Sequence, residues 1–169
     1  MDTNERIANL EKRVRDLEAR EGIRETIARY SYAVDKEDWA EIDAIFTDDA
    51  VIDRKWRDEY YRGKSAVLGF FQRHRAQVKF SNRMSNLNEI IKVDGDKAKA
   101  TSYALVMYTY NRDSYIGWGA YEWEFRFEKN MWRITREGIS IAVMTTLSRG
   151  WGMDTDRVLT LPHLQEKKS

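Results

Sequence analysis

The spacing of apolar residues changes once along this chain, and that change most limits what it can fold into. Over residues 3–34 the apolar positions are Ile7, Leu10, Val14 and Leu17, then, after a phase shift, Ile23, Ile27, Tyr30 and Val34. Steps of three and four predict helix. Gly22 lies near the shift and predicts a break or kink. A second helix is expected over about Trp39–Phe46 behind Asp38 as N-cap. Asp48-Asp49 then breaks the pattern before a short strand at Val51–Arg54. Tyr60 to Ser65 (YYRGKS) reads as strand, turn and cap, leading into a helix over about Ala66–Arg73. From Val78 the residues alternate instead, giving candidate strands at Val78–Val93, Lys97–Asn111, Ser114–Glu128 and Trp132–Thr145. Their connections carry turn chemistry: Asp94-Gly95-Asp96, Asn111-Arg112-Asp113 and Glu128-Lys129-Asn130. Helices first and long antiparallel strands afterwards is the order of an α+β domain, with helices covering one face of a curved sheet.

The 169 residues fit a single domain, 1–169, with a charged N-terminal helix at about 3–20 and a solvated tail at about 150–169. The segment NLEKRVRDLEAR has fewer heptads than a true coiled coil needs, so it is expected to pack along its own domain or a neighbouring subunit. A net charge of +1 offers no one-sided basic field, which argues against nucleic acid as a partner. There is no apolar run near 18 residues and the N-terminus is charged, so neither a membrane span nor a secretory signal is expected, and the cytoplasm is the expected compartment. Cysteine is absent and the two histidines, His74 and His163, are isolated, which excludes disulfides and disfavours Cys- or His-based metal sites. With no Gly-rich phosphate loop either, no cofactor is expected.

Alternation within the strands indicates where a pocket could lie. One face of the second long strand carries Ser102, Ala104, Val106, Tyr108 and Tyr110. One face of the third carries Gly117, Gly119, Tyr121, Trp123, Phe125 and Phe127. The aromatic residues suit a core, whereas the small ones are hard to explain as core and suggest a cavity beside it. The opposite face carries Tyr103, Leu105 and Met107, an apolar patch that predicts self-association.

Four segments together resemble the SnoaL-like branch of the nuclear-transport-factor-2-like superfamily over about residues 20–145. They are IARYSYAVDKEDWAEIDAIFTDDAVID (27–53), YYRGKSAVLGFF (60–71), the hairpin from Asn86 through VDGDKA, and FEKNMWRITR (127–136). The resemblance implies a cone-shaped, curved antiparallel half-barrel with N-terminal helices enclosing a pocket. It also implies cofactor-free lyase chemistry on a hydrophobic small molecule, and a homo-oligomer, with a trimer ahead of a dimer. Asp35 falls on the catalytic aspartate of the branch. Tyr30, five residues earlier and taken to share nearly the same helical face, falls on a site tyrosine. The branch's histidine, in the pattern H-x-x-x-N, is replaced here by Asn82, with Asn86 retained as the second member. Asparagine cannot exchange a proton near neutrality. Tyr108, Glu137 and His74 are therefore the candidates to take its place.

The expected catalytic set is Asp35, Tyr30 and Tyr108, with Asn82, Asn86, Ile52, Ala104, Val106, Gly119, Tyr121, Glu137 and His74 around the substrate. The reaction implied is an elimination of the dehydratase type, or a retro-aldol-type C–C cleavage such as formaldehyde loss from a lignin-like diaryl compound. A ketosteroid-isomerase-like activity and a non-catalytic ligand-binding or assembly module are the alternatives.

Overall fold

The computed structural model describes residues 2–54, 57–77, 83–110 and 112–150. The helical part comprises α1 (Thr3–Lys36), α2 (Trp39–Ile45) and α3 (Lys64–Gln77). The strands are β1 (Phe46–Arg54), β2 (Glu59–Arg62), β3 (Arg83–Asp94), β4 (Lys97–Tyr110), β5 (Asp113–Glu128) and β6 (Met131–Thr146). Residues 78–82, placed at the start of a strand by their sequence, lie outside the described residues, as does the tail from 151.

No break interrupts α1 at Gly22. Its first turn is closed by the Glu5 carboxylate, which accepts from the Asp2 backbone N–H at 2.9 Å. It ends at Glu37, which adopts the left-handed conformation with φ 59°. Gly22 serves packing instead. A Cβ there would lie 3.0 Å from the Trp132 ring, and one turn on, the Thr26 hydroxyl donates to the Trp132 carbonyl at 2.8 Å. A mid-helix glycine costs about 1 kcal/mol relative to alanine, and here it lets the helix cross β6 closely. Residues 2–18 are exposed throughout, so the expected packing of this segment along its own domain does not occur.

Asp48 and Asp49 do not separate helix from strand, because β1 begins directly after α2 at Phe46. Both point outward and pair with Lys64 at 3.0 Å and Arg126 at 2.8 Å. The turn between α2 and β1 is held from beneath by buried Arg133, whose Nε donates to the Ala44 carbonyl at 2.8 Å. The third helix runs further than its apolar pattern suggested, to Gln77.

The six strands form one curved, unclosed sheet in the order β2-β1-β6-β5-β4-β3. Every pairing is antiparallel except β1 with β6, a departure from the all-antiparallel expectation. β3 to β6 form a meander, and β1 adds to its free edge. The chain between β1 and β6 includes α3 and four strands, ample for the long crossover that a parallel pair needs.

Register shifts bend the sheet: between Trp118 and Gly119, and between Glu124 and Phe125, where β5 meets β6, and between Leu87 and Ile90 on β3. At the first of these a Cβ on Gly119 would fall 1.9 Å from the Ser140 carbonyl oxygen, so only glycine fits. Gly117 lies under Met144, whose sulfur would be 2.6 Å from an added Cβ. The two glycines therefore mark close backbone approach and a methionine packed overhead, not the empty space that their sequence suggested. The concave face buries Ala98, Ala100, Ser102, Ala104 and Tyr108 from β4 and Tyr121, Trp123 and Phe125 from β5, while Tyr103 and Met107 are exposed on the convex face.

Gly119→Ala should lower unfolding free energy by about 3 kcal/mol or more, at the upper end for overpacking, because the obstacle is backbone. Gly117→Ala should cost less, since the side chain of Met144 can turn aside and the Val143 carbonyl oxygen, at 2.9 Å, has to yield far less than that of Ser140. Denaturant unfolding of both variants checks the ranking, and the reverse order would refute this account of the bend.

Candidate active site

From Ile23 onward α1 turns a continuous apolar face into the concave side of the sheet: Ile23, Thr26, Ile27, Tyr30, Ala33 and Val34 are buried. Tyr30 occupies the middle of this face. Its ring meets Trp123 edge-on at 5.1 Å, Phe71 at 5.9 Å, Tyr121 at 6.1 Å and Phe46 at 6.2 Å. Tyr121 stacks on Trp123 at 4.6 Å. The two phenol oxygens, of Tyr30 and Tyr121, are 3.5 Å apart.

Into this aromatic cage β6 places a carboxylic acid. Glu137 lies between Ile52 of β1 and Trp123 of β5 in the sheet register and is 2% exposed. Its Oε2 has no hydrogen-bond partner among the described residues. Desolvation pushes the carboxyl up to about 7, against the opposing pull of the Arg54 charge and a hydrogen bond with Tyr30. Burial and the neighbouring Glu137 charge in turn push the phenols of Tyr30 and Tyr121 upward. Arg54 lies two residues beyond Ile52 on the same face of β1, with its guanidinium 4.7 Å from the centre of the Phe70 ring. The result is a carboxyl poised to take or give a proton near neutrality, beside two phenols that keep theirs. Such a set can move a proton and steady an oxygen that gains negative charge.

Asp35 does not share the face of Tyr30. Five residues is about 140° around a helix axis, and the structure places Asp35 at a groove of ≈ 540 Å³ between α1 and β3. It is half-buried, and its two oxygens accept from the Met84 N–H at 3.2 and 3.4 Å. Partial burial raises its pKa, opposed by that N–H and by the charges of Arg83 and Arg75. Met84 links Asp35 to the cage: its N–H holds Asp35, while its sulfur accepts from the Tyr121 hydroxyl at 3.2 Å.

The other expected residues are spread across the fold. Ile52, Tyr121 and Glu137 belong to the cage. Ala104 pairs with Asn86 and Gly119, and Val106 with Met84 and Gly117, so both lie along the concave face between groove and sheet centre. Asn86 is engaged on both sides of its amide, donating to Ser31 Oγ at 2.8 Å and accepting from Ser102 Oγ at 3.0 Å. Trp123 Nε1 donates to Ser102 at 3.0 Å, so this polar chain ties α1, β3, β4 and β5 together. Tyr108 is buried elsewhere. It stacks on Tyr115 at 5.0 Å and packs with Met144 in a second cluster, apart from the one that holds Tyr30. His74 is half-buried on α3 with its ring stacked on Phe70 at 5.9 Å. Asn82 lies outside the described residues. Arg54 and Met84 were not singled out from sequence, although alternation from Ile52 places Arg54 on the inner face.

The family profile of the SnoaL-like domain matches residues 15–137. The chain belongs to the SnoaL-like family. Among solved structures, an NTF2-like protein with a cystatin-like fold from Novosphingobium aromaticivorans is 26% identical, with a TM-score of 0.71 over 79% of this chain and 88% of that one. A type 2 hexachlorocyclohexane dehydrochlorinase (LinA) is 18% identical, with a TM-score of 0.72 over 78% and 90%. A candidate scytalone dehydratase from N. aromaticivorans is 19% identical, with a TM-score of 0.70 over 80% and 90%. No curated protein matches the sequence. Among the described residues, no group of three or more His, Asp or Glu side chains is arranged to hold a metal ion, and no helix is long and apolar enough to cross a membrane.

The Glu137 pKa has a consequence for stability. Its folded value of about 7 lies above the usual 4.5, so the unfolded chain releases its proton first as pH rises. Stability contributed by the neutral form is complete below about 4.5 and declines as pH climbs to about 7, by on the order of 3 kcal/mol in all. In Glu137→Gln this decline should vanish. Urea unfolding of wild type and variant across that range measures it, and a constant difference between the two proteins would contradict the assignment.

Proposed function

We propose that this SnoaL-like protein is a cofactor-independent lyase acting on a hydrophobic aromatic or polycyclic small molecule. The observation that carries this reading is Glu137, a fully buried carboxyl in an aromatic cage, with one oxygen unpartnered among the described residues and a pKa drawn up to about 7. A structural acid at such a position would ordinarily be fully paired, because an unsatisfied buried oxygen costs about 1–3 kcal/mol. Glu137 and Asp35 supply the two proton-transfer groups that an elimination needs. One carboxylate takes a proton from the substrate, and the electrons left behind form the new double bond. The leaving oxygen departs with a proton from an acid, while Tyr30 and Tyr121 hydrogen-bond to the oxygen that carries developing charge. In the retro-aldol variant the base takes a hydroxyl proton, the C–C bond breaks to release formaldehyde, and the resulting carbanion is protonated. A substrate reaching from Asp35 into the cage would displace the Met84 side chain from the Tyr121 hydroxyl.

The fold shared with a dehydrochlorinase and a candidate scytalone dehydratase supports elimination as the general class. Tyr108, buried in the second cluster, is given no part in the chemistry here. The pair of phenols beside a carboxyl also suits double-bond isomerisation of a ketosteroid-like compound, and product mass separates the two, since only the lyase reaction releases a second molecule. Association through the convex sheet face, as a trimer, belongs to the same reading, because Tyr103 and Met107 are exposed there.

The test is a screen of hydroxylated aromatic and steroid-like compounds followed by variant kinetics. Glu137→Gln and Asp35→Asn should each lower turnover by about 100-fold or more while retaining the fold, the scale expected for losing a proton-transfer group. Tyr30→Phe should cost less, since the ring and its packing remain. The pH profile of wild-type turnover should bend near 7, and Glu137→Gln should lose that bend. Near wild-type turnover in a folded Glu137→Gln protein would overturn the reading.

A further inference from the structure

The first half of α1 carries an apolar stripe that its own domain does not cover. Ile7, Leu10, Val14 and Leu17 are 49, 48, 50 and 65% exposed, although the same helix is deeply buried from Ile23 onward. The two stripes lie on opposite sides of one straight rod. Val14 and Ile23 are nine residues apart, as are Leu17 and Thr26, and at 100° per residue that separation is about half a turn. The exposed stripe thus points away from the body of the domain. A helix laid against it would meet no obstruction from the sheet, and this is the structural meaning of the phase shift in the sequence.

The occupant is specified by residue type and charge. The stripe has the 3-4-3 spacing of a heptad seam, with β-branched Ile7 and Val14 at the a positions and Leu10 and Leu17 at d. That combination favours a two-stranded parallel coil. The flanking positions are of one kind on each side: Arg6, Arg13 and Arg20 at g, and Glu11, Glu18 and Glu25 at e. In a parallel pair each g residue meets the e residue five positions on in the other chain, which sets Arg6 against Glu11 and Arg13 against Glu18, twice over by symmetry. In an antiparallel pair g meets g and e meets e, so arginine would face arginine and glutamate would face glutamate. Arg20 is committed to the Ile91 carbonyl of its own domain at 2.8 Å, so the zipper ends there.

We propose that residues 3–20 of two copies of this chain pair in register as a short parallel coiled coil, which holds two domains on opposite sides of the seam with their concave faces toward it. Two heptads would not hold as a free peptide, because helix nucleation is costly. Here the helix is already formed, continuous with a segment fixed in the core, so pairing requires no nucleation.

The chain contains no cysteine, which makes single-cysteine crosslinking of the full-length protein unambiguous. Ile7→Cys sits at one end of the seam. Under mild oxidation it should form a disulfide-linked dimer, as should Val14→Cys. Leu10→Glu with Val14→Glu, both on the solvent side of the helix, should leave the fold intact, weaken pairing through α1 by at least about 100-fold and lower the particle mass in sedimentation equilibrium to that of the assembly held by the sheet face alone. Reversing Arg6 and Arg13 to glutamate should weaken pairing, and reversing Glu11 and Glu18 to arginine in the same chain should restore it. Failure of Ile7→Cys to crosslink with itself would overturn the proposal. So would crosslinking only between Ile7→Cys and Leu17→Cys chains, the antiparallel result, or an unchanged mass in the double glutamate variant.

Discussion

At Gly119 the backbones of β5 and β6 come so close that no side chain fits between them, and the shape of the molecule follows from that contact. The register shift beside it bends the sheet into a trough. A trough, unlike a flat sheet, can receive α1 lengthwise, with Gly22 meeting Trp132 at one crossing and Tyr30 reaching the ring of Trp123 further along. The second shift, between Glu124 and Phe125, sets the register in which Glu137 comes to lie beside Trp123. Remove the bend and the acid would face a different neighbour.

Burial of that acid is the electrostatic counterpart of the bend. An ionised carboxylate in such a place would be strongly disfavoured, and the surroundings offer it only partial relief through Arg54 and Tyr30. The result is a group balanced between its two charge states near neutral pH, with phenols nearby that stay protonated. Asp35 is different in kind. It is half-buried, held by the Met84 N–H, and open to a groove. On the proposed reading, two carboxylates in unlike environments supply the asymmetry that acid and base roles require.

Much of the fold was legible because periodicity survives in the sequence. Alternation assigned Ala104, Tyr121 and Trp123 to the concave face and Tyr103 and Met107 to the convex one, and burial agrees at each. What alternation cannot give is position along a strand. Tyr108 shares the face of Ser102 but lies six residues further, about 20 Å on, and so joins Tyr115 and Met144 in place of Tyr30. The glycines misled for a related reason: a missing side chain implies space only if nothing else fills it, and here a neighbouring backbone and Met144 do. Asp35 and Tyr30 were separated by the geometry of the helix. Arg54 was passed over because a lone arginine on a short strand gives no signal until the residues opposite it are known. The parallel partnership of β1 with β6 depends on which edge of the meander remained free, information that no local pattern carries.

The central claim, that the Glu137 carboxyl is neutral in the cage and titrates near neutrality, can be read directly from its carbonyl stretch. Infrared difference spectra of wild type against Glu137→Gln, recorded from mildly acidic to mildly alkaline pH, isolate the band of one protonated carboxyl. The account predicts such a band below neutrality, absent from the variant, fading with a midpoint near the value of about 7 set by burial. A Glu137 carboxyl already ionised at pH 5, with no protonated band to lose, would contradict it.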